Sequence, residues 1–181
     1  MNHLDAMFEQ YSEAFLGTMT GEGDIVHREK IDTAILNYSL ESLHEVDRYL
    51  KFLYEHPIET SCIEYQNVVV WCGAYIGEVI RKNAAIVYHW VHYEEYMKGQ
   101  GAKLKNMIPY TLTTHALLVA DDSSYVTMPM NKVARWLEEG EANNVHFYAG
   151  ADISRKKHND GFDSSLKKSA SADGKPWWKL W

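Results

Sequence analysis

VVVWCGAYIGEVIR, residues 68–81, predicts a helix that is buried on almost every side. The apolar side chains follow the i, i+3, i+4, i+7 spacing of a wide helical face, and they are Val68, Val69, Trp71, Cys72, Ala74, Tyr75, Ile76, Val79 and Ile80. The pattern begins between Ser61 and Gln66 and continues to about Lys82. Because such a helix belongs in a core, its charged residues Glu78 and Arg81 need an explanation.

Glu78 has a structural and a functional interpretation. Arg81 follows it by one helical turn, which predicts a partly buried ion pair beneath a tightly packed strand. Alternatively, desolvation raises the pKa of Glu78 and makes it a general base. We favour the ion pair, because an unpaired buried carboxylate is costly. Gly73 and Gly77 on the same helix predict a groove where another backbone approaches closely.

Two helices are predicted before this segment. Residues 3–16 carry apolar side chains at helical spacing, and Gly17 ends the pattern. A second amphipathic helix is predicted over residues 40–54, with Ser39 as its N-cap and Pro57 beyond its end.

The sequence after the central helix predicts a small, mainly antiparallel sheet. Runs rich in β-branched and aromatic residues predict strands at 85–93, 110–120 and 125–128, and a short apolar run predicts a last strand at 145–148. Asp121-Asp122-Ser123-Ser124 suits a hairpin connection. Pro129 and Gly140 bracket a further helix. The predicted fold class is α+β, with the N-terminal helices packed on the sheet.

The composition changes near residue 153. Residues 1–152 are predicted to form a single domain, and residues 153–181 a basic tail that is disordered or loosely docked. The tail contains Trp177, Trp178 and Trp181, which predict contact with a partner protein or with the chain's own domain. Contact with a membrane interface is a weaker alternative. The N-terminal residues do not resemble a signal peptide, so we expect a cytoplasmic protein.

Few residues suggest reactive chemistry. His89 and His92 would share a face only on a helix, whereas His92 and Glu94 share one side of the predicted strand. His115 would complete a three-ligand metal set, but no pattern establishes that proximity. Cys62 and Cys72 fit neither a disulfide framework nor a zinc motif. Motifs for a serine nucleophile or a phosphate loop are not found in the sequence. We therefore predict no metal and no cofactor.

The charge is unevenly distributed. Residues 1–149 carry 21 acidic and 11 basic side chains, whereas residues 150–181 carry 4 acidic and 7 basic ones. An acidic body repels phosphate backbones, which argues against nucleic-acid binding and favours a basic protein partner. The candidate contact residues are carboxylates at the ends of predicted elements or on exposed faces, namely Glu94, Glu95, Asp121, Asp122, Glu138, Glu139 and Glu141.

The chain also resembles a group of uncharacterised small bacterial proteins. The resemblance rests on the SLxSL spacing at residues 39–43, on GAYIGEVIR at residues 73–81 and on Trp90, and it covers roughly residues 37–140. The tail lies outside it. Some small acidic domains of this kind resemble immunity proteins that neutralise toxins, which implies a binding function and transfers no catalytic residue.

Three kinds of function remain open. The leading hypothesis is a non-enzymatic binding protein, an immunity or antitoxin-like protein that occludes a bacterial toxin through its acidic surface. The alternative is a small hydrolase or nucleotide-processing enzyme that uses Glu78 and Arg81 with His89 or His92. A scaffold subunit that associates through the tryptophan tail is a third possibility, and the sequence predicts no oligomeric state.

Overall fold

The computed structural model describes residues 2–19 and 24–155, except for the side chain of Gln100. The α-helices in this part of the chain are α1 (His3–Leu16), α2 (Leu43–Glu55), α3 (Ile63–Asn67), α4 (Gly73–Asn83), α5 (Tyr93–Lys98), α6 (Pro129–Glu139) and α7 (Val145–Ile153). The strands are β1 (Tyr88–His92), β2 (Ala116–Ala120) and β3 (Val126–Thr127). A π-helical segment, Val68–Cys72, joins α3 to α4. Short 3-10 turns lie at Arg28–Lys30, Gln100–Leu104 and Gly140–Asn143.

The central helix is buried as its pattern predicts. Every residue from Gly73 to Ile80 is buried, and α4 packs against α1, α6, α7 and β1. The main hydrophobic core surrounds this helix and includes residues from Leu4 to Ala149. These helices and the antiparallel sheet confirm the α+β fold class.

The two glycines of α4 mark the closest approaches to this helix. A Cβ atom on Gly73 would lie 2.8 Å from the Cα of Met130, at the start of α6. A Cβ atom on Gly77 would lie 2.2 Å from the Cζ2 of Trp90 in β1. The predicted approach of another backbone is confirmed at Gly73, whereas at Gly77 the close neighbour is an indole ring.

The strands form one antiparallel sheet in the order β1-β2-β3. Trp90 pairs with Leu118 in the β1–β2 register, and Leu118 pairs with Thr127 in the β2–β3 register. Leu118 belongs to the main core, whereas Leu117 and Val119 join a second, smaller core beneath α5. The period-2 alternation of β2 therefore separates two hydrophobic clusters.

Several predicted boundaries are wrong. The strand predicted over residues 85–93 is limited to Tyr88–His92, because the chain turns into helix α5 at Tyr93. The strand predicted over residues 110–120 covers only Ala116–Ala120, and the stretch before it forms turns in which the Thr111 amide bonds Thr114 Oγ1.

The predicted last strand is also wrong, because residues 145–153 form helix α7. The side chain of Asn144 accepts a hydrogen bond from the Phe147 amide and caps the helix. The carboxylate of Asp47 accepts bonds from the amides of Val145 and His146 at 2.8 and 3.1 Å. These bonds satisfy amides that a helix leaves unpaired at its start.

Helix α2 begins at Leu43 rather than Leu40, so the prediction of Ser39 as its N-cap is wrong. Residues 39–42 form a turn in which the Ser42 hydroxyl donates to the Ser39 carbonyl. The predicted ends at Gly17 and Gly140 are confirmed, with φ angles of 76° and 78° that favour glycine. The predicted start of the tail at residue 153 is wrong, because Ile153 ends α7 and Arg155 Nε donates to Asp152 Oδ1 at 2.6 Å. The rest of the predicted tail, residues 156–181, lies outside the described residues.

Candidate functional site

The ion pair predicted on the central helix is present. Arg81 Nη1 donates to Glu78 Oε1 at 2.8 Å and to Oε2 at 3.0 Å. The Trp90 indole N–H also donates to Glu78 Oε1, at 3.2 Å. Glu78 is only 2% exposed, so its carboxylate is shielded from solvent and is hydrogen-bonded by Arg81 and Trp90.

A second carboxylate, Asp5 of α1, joins this ion pair. Asp5 is fully buried, and its Oδ2 lies 3.5 Å from Arg81 Nη2 and 2.7 Å from His89 Nδ1. Its Oδ1 accepts a 2.8 Å hydrogen bond from the Trp90 amide. Asp5 was not predicted as a site residue, although it shares a helical face with the buried Phe8, Ser12 and Phe15. We call Asp5, Glu78, Arg81 and His89 the buried polar cluster.

The geometry assigns the buried polar cluster a role at the edge of the sheet. β1 pairs with β2 on one side only, and antiparallel pairing points the backbone groups of Tyr88 and Trp90 away from β2. Arg81 Nε donates to the Tyr88 carbonyl at 3.2 Å, Asp5 accepts from the Trp90 amide, and Asn2 Nδ2 donates to the Trp90 carbonyl at 3.2 Å. Side chains thus take the place of a further strand and protect the edge.

Burial acts on both carboxylates, with different results. Burial raises the pKa of Glu78 above its ordinary value, and the bonds from Arg81 and Trp90 offset this only in part. Burial would also raise the pKa of Asp5. The hydrogen bonds from His89 and the Trp90 amide and the charge of Arg81 outweigh that effect, so the pKa of Asp5 lies below its ordinary value.

His89 bridges the buried polar cluster to a surface turn. Its Nε2 lies 2.9 Å from Oδ1 of Asp121, in the turn between β2 and β3, and its side chain is 37% exposed. Both ring nitrogens therefore face carboxylates. Of the buried side-chain polar atoms in residues 2–19 and 24–155, only the Tyr88 hydroxyl lacks a hydrogen-bond partner, so the buried polar cluster is internally satisfied.

His92, the other histidine of the enzymatic alternative, lies elsewhere. It lines a surface cleft of about 360 Å³ together with Tyr93, Glu94, Glu95, Lys98, Tyr110 and His115, which we call the acidic cleft. His92 and His115 are thus brought to one place, as the metal hypothesis required. Even so, no set of three histidine, cysteine or carboxylate residues in the described ranges is arranged to hold a metal ion.

The seven candidate carboxylates are all exposed, and they lie in three places. Glu94 and Glu95 line the acidic cleft at the start of α5. Asp121 and Asp122 lie in the β2–β3 turn, where Asp121 contacts His89. The third group lies at the C-terminal end of α6 and in the turn after it. Glu139 pairs with Arg135, Glu141 pairs with Lys51, and Glu138 is the remaining member.

The acidic cleft combines charge with exposed aromatic surface. Tyr110 is 64% exposed, and its ring lies 5.3 Å from that of Tyr93. The Tyr93 hydroxyl donates to the Ile108 carbonyl at 2.6 Å, which fixes the loop that carries Tyr110. The sequence analysis placed Tyr110 in a strand and missed this role. The sequence signal for a binding role of Tyr110 is weak, because tyrosine is common both in strands and at interfaces.

A second cleft of about 350 Å³ lies between α1 and the start of the central helix, and we call it the apolar cleft. Its lining residues are Gln10, Tyr11, Ala14, Met19, Ile63, Gln66, Asn67, Val70, Trp71 and Leu112. Asn67, Val70 and Trp71 come from the π-helical segment and the residue before it, and such segments occur frequently at functional sites. Trp177, Trp178 and Trp181 lie outside the described residues, so their position relative to either cleft is a matter for proposal.

A scan against family models and searches of curated proteins and solved structures found no match for this chain. The resemblance to small immunity-like proteins therefore stays a prediction. Within the part of the chain that the structure describes, every helix is too short or too polar to cross a bilayer.

Proposed function

We propose that this chain is a non-enzymatic binding protein that recognises a basic protein, in the manner of an immunity or antitoxin protein that neutralises a bacterial toxin. The observation that carries the proposal is the acidic cleft, where Glu94 and Glu95 adjoin the exposed ring of Tyr110. This combination of an aromatic anchor with charges at its rim is typical of interface hot spots.

The charge of the cleft suits a partner rich in lysine or arginine. Glu94 and Glu95 are both exposed, and Lys98 is the only lysine or arginine among the lining side chains, which also include His92 and His115. Exposed charges of this kind accelerate encounter with a partner of opposite charge, and the acceleration falls as salt is added. In the complex, Tyr110 would be buried against the partner, and this contact then slows dissociation.

The proposal is tested by affinity capture from a lysate of the source organism, followed by kinetics with the purified partner. We expect a stoichiometric basic protein whose association rate falls about tenfold in the Glu94→Gln/Glu95→Gln variant at low salt. The matched control is Glu138→Gln/Glu141→Gln, which removes the same charge outside the acidic cleft. Equal effects of the two variants would contradict the proposed site.

Tyr110 provides a second, independent test. Tyr110→Ala should leave the association rate nearly unchanged and raise the dissociation rate by tenfold or more, because an aromatic anchor acts mainly after encounter. Tyr54→Ala is a suitable control, since Tyr54 is also well exposed and lies on α2. The proposal would be refuted if the partner were acidic, or if Tyr110→Ala left the dissociation rate as unchanged as Tyr54→Ala does.

The enzymatic alternative retains one favourable observation. His89 is partly exposed and has the buried carboxylate of Asp5 against one ring nitrogen, an arrangement that resembles a general base with its orienting group. If Glu78→Gln abolished a hydrolytic or nucleotide-processing activity while the fold stayed intact, catalysis would be favoured over binding.

A further inference from the structure

Three well-exposed hydrophobic side chains line the apolar cleft. Ile63 is 61% exposed, and Leu112 and Met19 are 40% and 39% exposed. All three line the cleft beside Tyr11 and Trp71. Scattered exposed apolar residues are ordinary, but a group that converges on one cleft marks a binding site.

The polar residues of the apolar cleft are uncharged. Gln10, Gln66 and Asn67 supply amide groups that both donate and accept hydrogen bonds. An indole ring has a large apolar face and a single N–H donor, which matches this lining. The volume of about 350 Å³ is at the small end of the range for ligand pockets, so the cleft suits one or two side chains rather than a folded domain.

The chain itself carries a matching segment. Residues 176–181, Pro-Trp-Trp-Lys-Leu-Trp, contain half of the six tryptophans of the sequence. The other three tryptophans, Trp71, Trp90 and Trp136, are buried in the domain. Residues 156–175 precede the segment and are long enough to reach any point of the surface, since an extended chain spans about 3.3 Å per residue and a domain of this size has a radius of gyration of about 15 Å.

Charge also favours an intramolecular contact. Residues 156–181 contain six lysines and three aspartates, whereas the body of the chain is strongly acidic. In the sequence, Glu13 is adjacent to Ala14 and Glu64 is adjacent to Ile63, and Ala14 and Ile63 line the apolar cleft. Lys175 and Lys179 flank the tryptophans, so the segment brings positive charge to an acidic body.

We propose that residues 176–181 dock in the apolar cleft of the same molecule, with a tryptophan ring against Ile63, Leu112 and Met19. The tether gives the segment an effective concentration in the millimolar range, so even a weak contact is well populated. The cleft is then a site for the chain's own aromatic segment, separate from the acidic cleft assigned to a partner.

Iodide quenching of tryptophan fluorescence tests the proposal in the full chain. Because Trp71, Trp90 and Trp136 are buried, the quenchable signal comes mainly from the three tryptophans of the tail. We expect those rings to be protected in the wild type and to become quenchable in Ile63→Ser. The matched control is Ile35→Ser, because Ile35 is 48% exposed and does not line the cleft, and it should leave the protection unchanged.

Methyl NMR of the full chain gives the second readout. Replacing the three tail tryptophans by alanine should shift the methyl resonances of Met19, Ile63 and Leu112 and leave that of Ile35 in place. Tail tryptophans that are fully quenchable in the wild type would overturn the proposal. Methyl shifts confined to the smaller core, which shares Tyr93 with the acidic cleft and contains Met97 and Ile108, would also overturn it. Protection that grows with protein concentration would overturn it as well, because the occupant would then be a second copy.

Discussion

At the residue scale, a single guanidinium makes two buried carboxylates tolerable. Arg81 contacts both oxygens of Glu78, lies within 3.5 Å of Asp5 and donates to the Tyr88 carbonyl. The planar, forked donor set of arginine allows these contacts at once, which the single ammonium group of lysine does not. The buried polar cluster therefore depends on Arg81 more than on any other member.

The first prediction concerns removal of that guanidinium. Arg81→Met removes the guanidinium that contacts both Glu78 and Asp5 and leaves the buried Glu78 without a cationic partner, so we expect the free energy of unfolding to fall by about 3–5 kcal/mol. Urea titration measures the loss. Arg135→Met is the control, since Arg135 pairs with Glu139 at the surface and should cost less than about 1 kcal/mol. A similar loss in both variants would show that the buried pair does not support the fold.

The second prediction contrasts two buried glutamates whose pKa shifts have opposite signs. Burial would raise the pKa of Glu45, but hydrogen bonds from Arg48 and the Asp32 amide lower it below its ordinary value of 4.5. The stability that Glu45 contributes is therefore present above about pH 4.5 and is lost as the pH falls through the lowered pKa of the folded state. Burial raises the pKa of Glu78, so its contribution is lost as the pH rises from about 4.5 through that raised value.

Difference curves of unfolding free energy against pH test these signs. The wild type minus Glu45→Gln should shrink as the pH falls below about 4.5, and the wild type minus Glu78→Gln should shrink as the pH rises above it. Each curve has a slope of at most about 1.4 kcal/mol per pH unit, because one proton is involved. Two curves that slope the same way would contradict the assigned pKa shifts.

At the element scale, the fold depends on how closely β1 approaches α4. Trp90 lies against Gly77 and stacks on Phe8 of α1 with ring centroids 3.9 Å apart. The same indole donates to Glu78, so packing and the buried polar cluster meet at one side chain. The glycine is needed here because no side chain fits between helix and ring.

The third prediction follows from this contact. Gly77→Ala places a Cβ atom 2.2 Å from Trp90 Cζ2, and we expect a net loss of about 1–3 kcal/mol even though alanine favours the helix. Gly150→Ala in α7 is the control, because its Cβ would lie 3.6 Å from the nearest Leu40 carbon, an ordinary contact. That variant should be stabilised by up to about 1 kcal/mol. Thermal or urea unfolding distinguishes the two, and a stable Gly77→Ala variant would refute the close approach.

Elements with a long periodic pattern are the ones that the sequence predicts well. The central helix carries apolar residues over four turns, and both α1 and α6 end at glycines, so their existence follows from local spacing. The four-residue run at Val145–Tyr148 is too short for its period to separate a strand from a helix. Asp47, far away in sequence, settles the choice by bonding the first amides of α7.

The buried polar cluster shows the same limit at a site. The Glu78–Arg81 pair spans one helical turn, so its spacing predicts it. The contact of Asp5 with His89 joins residues 84 positions apart, and nothing local encodes it. His89 and His92 look equivalent in the sequence. In the structure His89 contacts Asp5 in the buried polar cluster, whereas His92, just before the chain turns into α5, lines the acidic cleft.

At the scale of the whole molecule, two hydrophobic clusters of unequal size share one sheet. The main core joins α1, α2, α4, α6 and α7 to one face of the sheet. The smaller core packs α5 and Ile108 against Leu117 and Val119 on the other face. The acidic cleft shares Tyr93 with the smaller core. The proposed partner surface therefore lies on the part of the structure that has fewer buried hydrophobic residues.

The fourth prediction concerns the relative stability of these two parts. Amide protons of α5 should exchange through local opening at a lower free energy than those of α4, because α5 has six residues and packs on the smaller core. Hydrogen exchange followed by NMR at increasing, sub-denaturing urea measures both. Exchange in α5 should be nearly independent of urea, whereas exchange in α4 should depend on urea as global unfolding does. Equal protection and equal urea dependence of α5 and α4 would contradict this prediction and would show that α5 is held as firmly as the main core.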